Sequence, residues 1–435
     1  MKNTLSLFIV IAVFSACATH RASMMPTYSL MMNRNYEAAM AELDKSDLAK
    51  SKSDSFLYFA DMGVILQLLG RYAESNEYFE KAERRAEELY AVSISQQAAS
   101  LLTSDKVISY EGEDFERVMV NYYKALNYLM MGNLEEALVE CRQIDNKLNV
   151  YNSKYEKKNL YKEDAFARYL LALMNEADGE VNDAFIDYRK SLGIYENDFT
   201  ANYRVHAPPY IGADLLRTSK SLGFDEDFEK YKEQFRDVEY KPAQDTGELV
   251  LIFNNGMAAH KEEYNVAAVV PIDGYILRVA FPKYVMNQPE ISHAVVEIGG
   301  KKEATHLAEN ISGIAVKNLE DRVGRIMAKT IARAVTKYLA SKGAEELGRK
   351  AGGKLAGKLA GFMVNVVGVA TEAADTRSWL TLPDNIQIAR VSLPPGDYEA
   401  RLSFYSYGGG AVESAVVPVK ITKNKKTFIT YRTFR

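Results

Sequence analysis

Few residues of this chain are placed to do chemistry, and the most informative is a cysteine. Cys17 follows Ser15 and Ala16 at the end of an apolar run, Leu5–Phe14, which Lys2 precedes. A positive start, a short apolar region and small residues before a cut make a secretory signal. The run is well short of the ~20 residues a membrane-spanning helix needs. The five histidines, His20, His206, His260, His293 and His306, show no metal-ligand spacing. No His-Glu-x-x-His, nucleophile elbow, P-loop or dinucleotide fingerprint occurs. Cys141 falls in the core of a helical repeat and reads as a buried residue, not a nucleophile. Asp225-Glu226-Asp227 lacks the calcium-loop pattern and reads as the solvated start of a helix. No catalytic residue, metal or cofactor is expected, and the chain does not read as an enzyme.

The small pair before Cys17 resembles the lipobox of bacterial lipoproteins, departing from it at Phe14, where leucine is usual. That resemblance implies diacylation of the Cys17 sulfur, removal of residues 1–16, and a lipidated tether over 17–27. Several acyl chains on one residue make a stable anchor where one chain is marginal. Ala18 follows the cysteine, and the absence of aspartate there favours the outer membrane by analogy with the family.

The elements behind these residues come next. The chain has 435 residues, 47 % apolar and 26 % charged, enough for two or three domains with ordinary cores. A net charge of −4 argues for no nucleic acid or other strongly charged partner. With Cys17 acylated, Cys141 has no disulfide partner, so stability must come from packing.

Residues 28–238 read as helical and repetitive. Phe59, Gly63, Leu66, Gly70, Tyr72, Phe79 and Ala82 resemble one tetratricopeptide (TPR) repeat, a helix–turn–helix of about 34 residues. Ala125, Tyr128, Gly132, Ala137, Cys141 and Ile144 recur at equivalent positions, as do Ala172, Gly179, Ala184 and Tyr188. Tyr36, Ala39 and Leu43 look like half of an earlier unit, and Leu216, Gly223 and Phe228 like a worn later one. Extra length falls in 86–114 and 146–162. Such repeats stack into a curved solenoid whose concave face usually holds a peptide or partner. Asn121, Tyr122, Tyr128, Arg168 and Asn175 are the candidate groove residues; packing between repeats is the plainer reading of each.

A polar, breaker-rich linker spans 239–247. Eight strands follow in two groups, at 248–253, 266–270, 275–281 and 294–298, then 386–391, 398–405, 415–421 and 427–432. They suggest a β-sandwich over 248–435, so the fold class is α+β and multidomain, a TPR-like solenoid before a β-sandwich-like domain. A helical insertion, 317–376, separates the strand groups. Arg322, Arg325, Lys329, Arg333 and Lys337 fall on one helical stripe. Gly353, Gly357 and Gly361 then line one helix edge. In one reading this basic, glycine-edged insertion lies on anionic lipid or self-associates. In the other, two helices pack on the sheet and the basic residues are a solvated face.

The segment Ala374-Asp375-Thr376-Arg377-Ser378-Trp379-Leu380, with Ile386–Arg390 and Leu393-Pro394-Pro395-Gly396, resembles an uncharacterised family of bacterial lipoproteins. Gly247–Ile252 with Asn255-Gly256 resembles the entry to their C-terminal domain, and the likeness covers almost the whole mature chain. It implies a TPR-like region joined to such a domain, and encoding beside small lipoproteins, some related to the curli secretion channel. Asp375, Arg377 and Trp379 stand where the insertion returns to the sheet, as a clamp on that junction. The expected function is a non-enzymatic, lipid-anchored envelope scaffold that binds envelope proteins, neighbouring lipoproteins among them. A membrane-active role through the insertion, or carbohydrate or peptidoglycan binding by the sandwich, are the alternatives.

Overall fold

The computed structural model describes residues 20–95, 108–153, 160–240, 245–269, 276–331, 346 and 373–435. The leader 1–16, Cys17, Arg333, Lys337 and the glycine-spaced edge beginning at Gly353 lie outside the described residues.

Among the described residues, five antiparallel hairpins succeed one another. They pair α1 (His20–Met32) with α2 (Tyr36–Lys45), and α3 (Ser55–Leu68) with α4 (Tyr72–Ser95). Then α5 (Asp114–Met130) pairs with α6 (Leu134–Ser153), α7 (Ala165–Asp178) with α8 (Val181–Ile194), and α9 (Ile211–Leu222) with α10 (Asp225–Gln234). Local chemistry accounts for their ends. Asp164 accepts from the Ala167 N–H at 2.7 Å and starts α7. Gly179, at φ +96°, ends it in the left-handed region, where a Cβ would be strained. Within a hairpin, small residues set the spacing. A Cβ on Gly63 would sit 2.6 Å from Cε1 of Phe79, so only glycine admits that ring. Ala125 and Ala172 are fully buried at the equivalent positions, and Ala137 and Ala184 are fully buried on the facing helices. The extra length over single repeats is partly helix: α4 runs 24 residues and α6 runs 20.

At the N-terminus, α1 begins at His20, and Met24, Thr27, Tyr28 and Met31 are buried. The stretch expected as a tether is therefore, from residue 20 on, a docked helix.

The strands build two four-stranded sheets and a ribbon. The first sheet has the order β10-β1-β7-β6, from β10 (Lys426–Arg432), β1 (Gly247–Asn255), β7 (Asn385–Leu393) and β6 (His306–Asn310). The second is β5-β4-β8-β9, from β5 (Lys301–Ala304), β4 (Ile291–Ile298), β8 (Gly396–Ser406) and β9 (Ala411–Ile421). In the first sheet β1 lies parallel to β10 and antiparallel to β7. The ribbon pairs β2 (His260–Val269) with β3 (Ile276–Val285). The insertion opens with α11 over 311–331, directly after β6 and six residues ahead of the expected start. The short strands β5 and β6 were not among those expected. At four and five residues they carry too few positions for an alternation to show.

Burial along the strands reports the layering. β4 and β8 alternate between buried and open positions, as a sheet with one wet face does. β1 and β7 do not alternate: their central residues are all buried. Leu249, Leu251 and Phe253 pack with Val296, Leu402 and Phe404 between the two sheets. Their neighbours Val250 and Ile252, with Ile386 and Ile388, pack into the core of the helices. Successive strand residues point to opposite faces, so the first sheet is a middle layer, with the second sheet on one face and the solenoid on the other. The outer edges of the second sheet are protected by Pro418 in β9 and by Lys301 and Lys302 in short β5.

Candidate functional site

The concave side of the solenoid, where a partner was expected, is occupied by the first sheet. Tyr122 on α5 is buried, and its hydroxyl donates to Asn254 Oδ1 of β1 at 2.8 Å. The Tyr195 hydroxyl, beyond α8, donates to the Ala308 carbonyl of β6 at 2.9 Å. The Tyr169 hydroxyl on α7 lies 2.6 Å from the Arg390 guanidinium of β7. The other groove candidates serve the solenoid itself. Asn121 is buried and donates to Glu140 at 2.7 Å. Asn175 is buried and donates to Asp187 at 3.0 Å, while Arg168, half-buried, donates to Asp187 at 2.8 Å and pairs with Asp145. Tyr128 stays half-exposed. The open groove expected from Asn121, Tyr122, Arg168 and Asn175 is thus corrected: these side chains bridge elements of one molecule.

A buried ionic network pins the two halves together. Arg390 donates to both oxygens of Asp214, on α9, at 2.6 and 2.9 Å, and to both oxygens of Glu248, on β1, at 2.8 and 2.9 Å. Lys426 on β10 reaches Glu248 at 2.6 Å and Glu176 of α7 at 3.2 Å. Arg217 forks onto Glu176 at 2.7 Å and meets Asp214 at 2.8 Å. Three cations face three carboxylates. Burial alone would push the Glu248 carboxyl up, but Arg390 and Lys426 outweigh it and hold the group down at about 2. None of these residues was a candidate. Arg390 did carry a signal, the lone charge in the strand segment Ile386–Leu393.

A second junction gathers the motif residues. Arg377 pairs with Asp375 at 2.7 Å and with Asp54 of the solenoid at 2.7 Å, and donates to the Ile108 carbonyl at 2.8 Å. Trp379 is 1 % exposed, with its ring centroid 6.2 Å from Phe56, 6.1 Å from Phe79 and 5.6 Å from Tyr123. Its backbone N–H donates to Glu116 at 2.7 Å, and its indole N–H to Thr381 at 2.8 Å. Thr381 in turn donates to Asp61 at 2.7 Å. Burial raises the Asp61 carboxyl to about 7.

Beside this junction Glu113, which begins α5, pairs with both Lys261 of β2 and Arg322 of α11. That corrects the basic stripe at its first member. Arg322 turns inward and also donates to Asn318 Oδ1 at 2.6 Å, while Arg325 is exposed and Lys329 half-buried.

Two further features were not anticipated. Asp164 and Glu309, brought together from α7 and β6, are both buried. Burial, and then the neighbouring Asp164 carboxylate, raises the Glu309 carboxyl well above its ordinary value. No sequence proximity announces this pair. The second feature is a cavity of about 180 Å³, lined by Met25, Tyr28, Met32, Met257, Leu380 and Phe434 with Arg21 and Arg435. Its lining suits an apolar group. Burial pushes the Cys141 thiol up, away from the thiolate a nucleophile requires. Among the described residues no group of three His, Cys, Asp or Glu is placed to hold a metal ion.

No protein-family model matches the chain, and no curated protein matches it. Solved structures similar to parts of it are helical-repeat proteins. One is a Podosopora anserina protein of nearly identical TPR-like repeats, described as a kinesin light chain, at 14 % identity and TM-score 0.32, covering 50 % of this chain and 92 % of that one. Another is MamA of Desulfovibrio magneticus, at 15 % identity and TM-score 0.30, covering 50 % and 91 %. A third is BtubC of P. vanneervenii, at 13 % identity and TM-score 0.29, covering 48 % and 75 %. Likenesses this distant bear on neither partner nor activity, and the repeat assignment stands on the hairpins themselves.

Proposed function

We propose that the chain is a non-enzymatic, lipid-anchored scaffold of the cell envelope whose helical repeat clasps its own β-sandwich. The observation that carries this reading is the filled groove, where Tyr122, Tyr169 and Tyr195 each bond to a strand. A repeat protein that uses its inner face internally presents a fixed outer shape, and partners dock on that outside. The anchor at Cys17 and outer-membrane placement rest on the leader and on Ala18. Envelope proteins, neighbouring lipoproteins among them, are the partner class that the family resemblance implies. Carbohydrate binding would call for a row of exposed aromatics on the sandwich. Among the described residues of 248–435 outside α11, the large exposed apolar side chains are Tyr264, Met286, Leu307, Tyr407 and Val416, of which two are aromatic.

Two measurements test the reading. Cys17→Ser should release the protein from membranes or leave the uncleaved precursor; a Ser variant still processed and lipid-labelled ends the anchor assignment. A photo-crosslinker in cells should trap an envelope protein from Val139, which is 40 % exposed on α6, and only the chain itself from Tyr122. Capture of a foreign protein from Tyr122 would show the groove open and overturn the clasp.

A further inference from the structure

A group of exposed apolar residues lies on α11, the ribbon and α1, the elements joined at the docked start of α1 to which Cys17 leads. Two residues, Ala18 and Thr19, separate Cys17 from His20 at the docked start of α1, and three fully extended Cα-to-Cα steps span at most about 11 Å. The first turn of α1 is tied to the ribbon, where the Arg21 guanidinium donates to His260 Nε2 at 2.6 Å. The ribbon and α11 meet at Glu113, through Lys261 and Arg322. Ile326 of α11 packs on Val279 and Phe281 of β3. On its outward side the same helix carries Val323, Met327 and Ile331, at 38, 40 and 43 % exposure. Their spacing of four places them on one stripe. Tyr264 of the ribbon is 59 % exposed, Met286 just beyond it 52 %, and Met25 of α1 41 %. An apolar patch of this kind on a soluble body marks an interaction surface.

We propose that this patch is a membrane-seated face. The α11 stripe Val323, Met327 and Ile331, with Tyr264 and Met286, enters the lipid–water interface while the anchor holds the body down. The proposal rests on the anchored reading above. The short reach from Cys17 identifies the occupant: a body held within about 11 Å of a bilayer presents its nearest surface to lipid. Among the described residues no helix is long and apolar enough to cross a membrane, so the helix lies at the surface rather than spanning it.

The test uses the lipidated full-length protein in vesicles of phosphatidylethanolamine and phosphatidylglycerol. An environment-sensitive dye is placed by Met327→Cys or, as a control beyond α10 in the last hairpin, by Arg236→Cys. Cys141 is buried and does not compete for the dye. Nitroxide-bearing lipids should remove most of the emission from position 327 and leave position 236 unchanged. Adding Val323→Glu and Ile331→Glu should restore the emission at 327. An unquenched dye at 327 on protein whose mass shows the Cys17 lipid overturns the membrane face alone. A mass without that lipid overturns the anchored reading and this inference with it. A blue shift at 327 that grows with protein concentration in the Cys17→Ser chain, without vesicles, would assign the stripe to a second copy and overturn the proposal.

Discussion

Trp379 and Arg390 carry the contact between the two halves in different currencies, one apolar and one ionic. The Trp379 ring is enclosed by Phe56, Phe79 and Tyr123. Trp379→Ala should cost about 3–5 kcal/mol in urea denaturation, since a cavity is left between packed aromatics. Arg390→Met should cost a similar amount, about 3–5 kcal/mol, because Asp214 and Glu248 stay buried without their main counter-charge. Neutralising both acids in the same chain should recover much of that loss; a triple variant as unstable as Arg390→Met would refute the ionic account. Asp61 makes a pH prediction. Its carboxyl is raised from 3.8 to about 7, so the folded state keeps a proton the unfolded chain gives up. The stability this contributes is complete below the unfolded value and is lost as pH rises toward 7, with a slope approaching about 1.4 kcal/mol per pH unit. Asp61→Asn should flatten that slope between about pH 4 and about pH 7. Glu248, depressed to about 2, acts in the opposite sense: its contribution is present above 4.5 and is lost as pH falls toward 2.

At the scale of elements, the hairpins depend on tight helix contacts. A Cβ on Gly63 would meet the Phe79 ring at 2.6 Å, and Ser75 donates to the Gly63 carbonyl at 2.6 Å. Gly63→Ala should therefore destabilise by about 1–3 kcal/mol through overpacking, despite alanine's better helix propensity. A melting temperature unchanged or raised would show that α4 can retreat. Most long strands were legible because β-branched runs and Gly/Pro turns are local signals. The strands β5 and β6 were not, because their pairing is decided by neighbours, not by their own few residues. The continuous apolar run Leu249–Phe253 did contain the information that β1 is covered on both faces. Alternation was the expected signature of a sandwich strand, and its absence points to a third layer.

For the whole molecule, one apolar core runs from α1 through the solenoid to Ile386 and Ile388 of the first sheet. Unfolding should therefore be one cooperative transition. Far-ultraviolet circular dichroism, dominated by the helices, and fluorescence of Trp379 at the junction should give superimposable curves. Two separated transitions would mean that the halves are independent bodies with the groove available between them. Local order along the chain determined much: where helices turn at Gly132 and Gly179, where most long strands run, and which cysteine is buried. These readings hold because they depend on residues a few positions apart. Only the tertiary structure decided what fills the concave face, since Tyr122 and Asn254 lie 132 residues apart and Tyr169 and Arg390 lie 221 apart. It also decided that Arg322 turns inward to Glu113 while Val323 and Met327 turn out. A helical stripe read from spacing shows which side chains share a face; which face meets the rest of the molecule is set by packing partners distant in the chain.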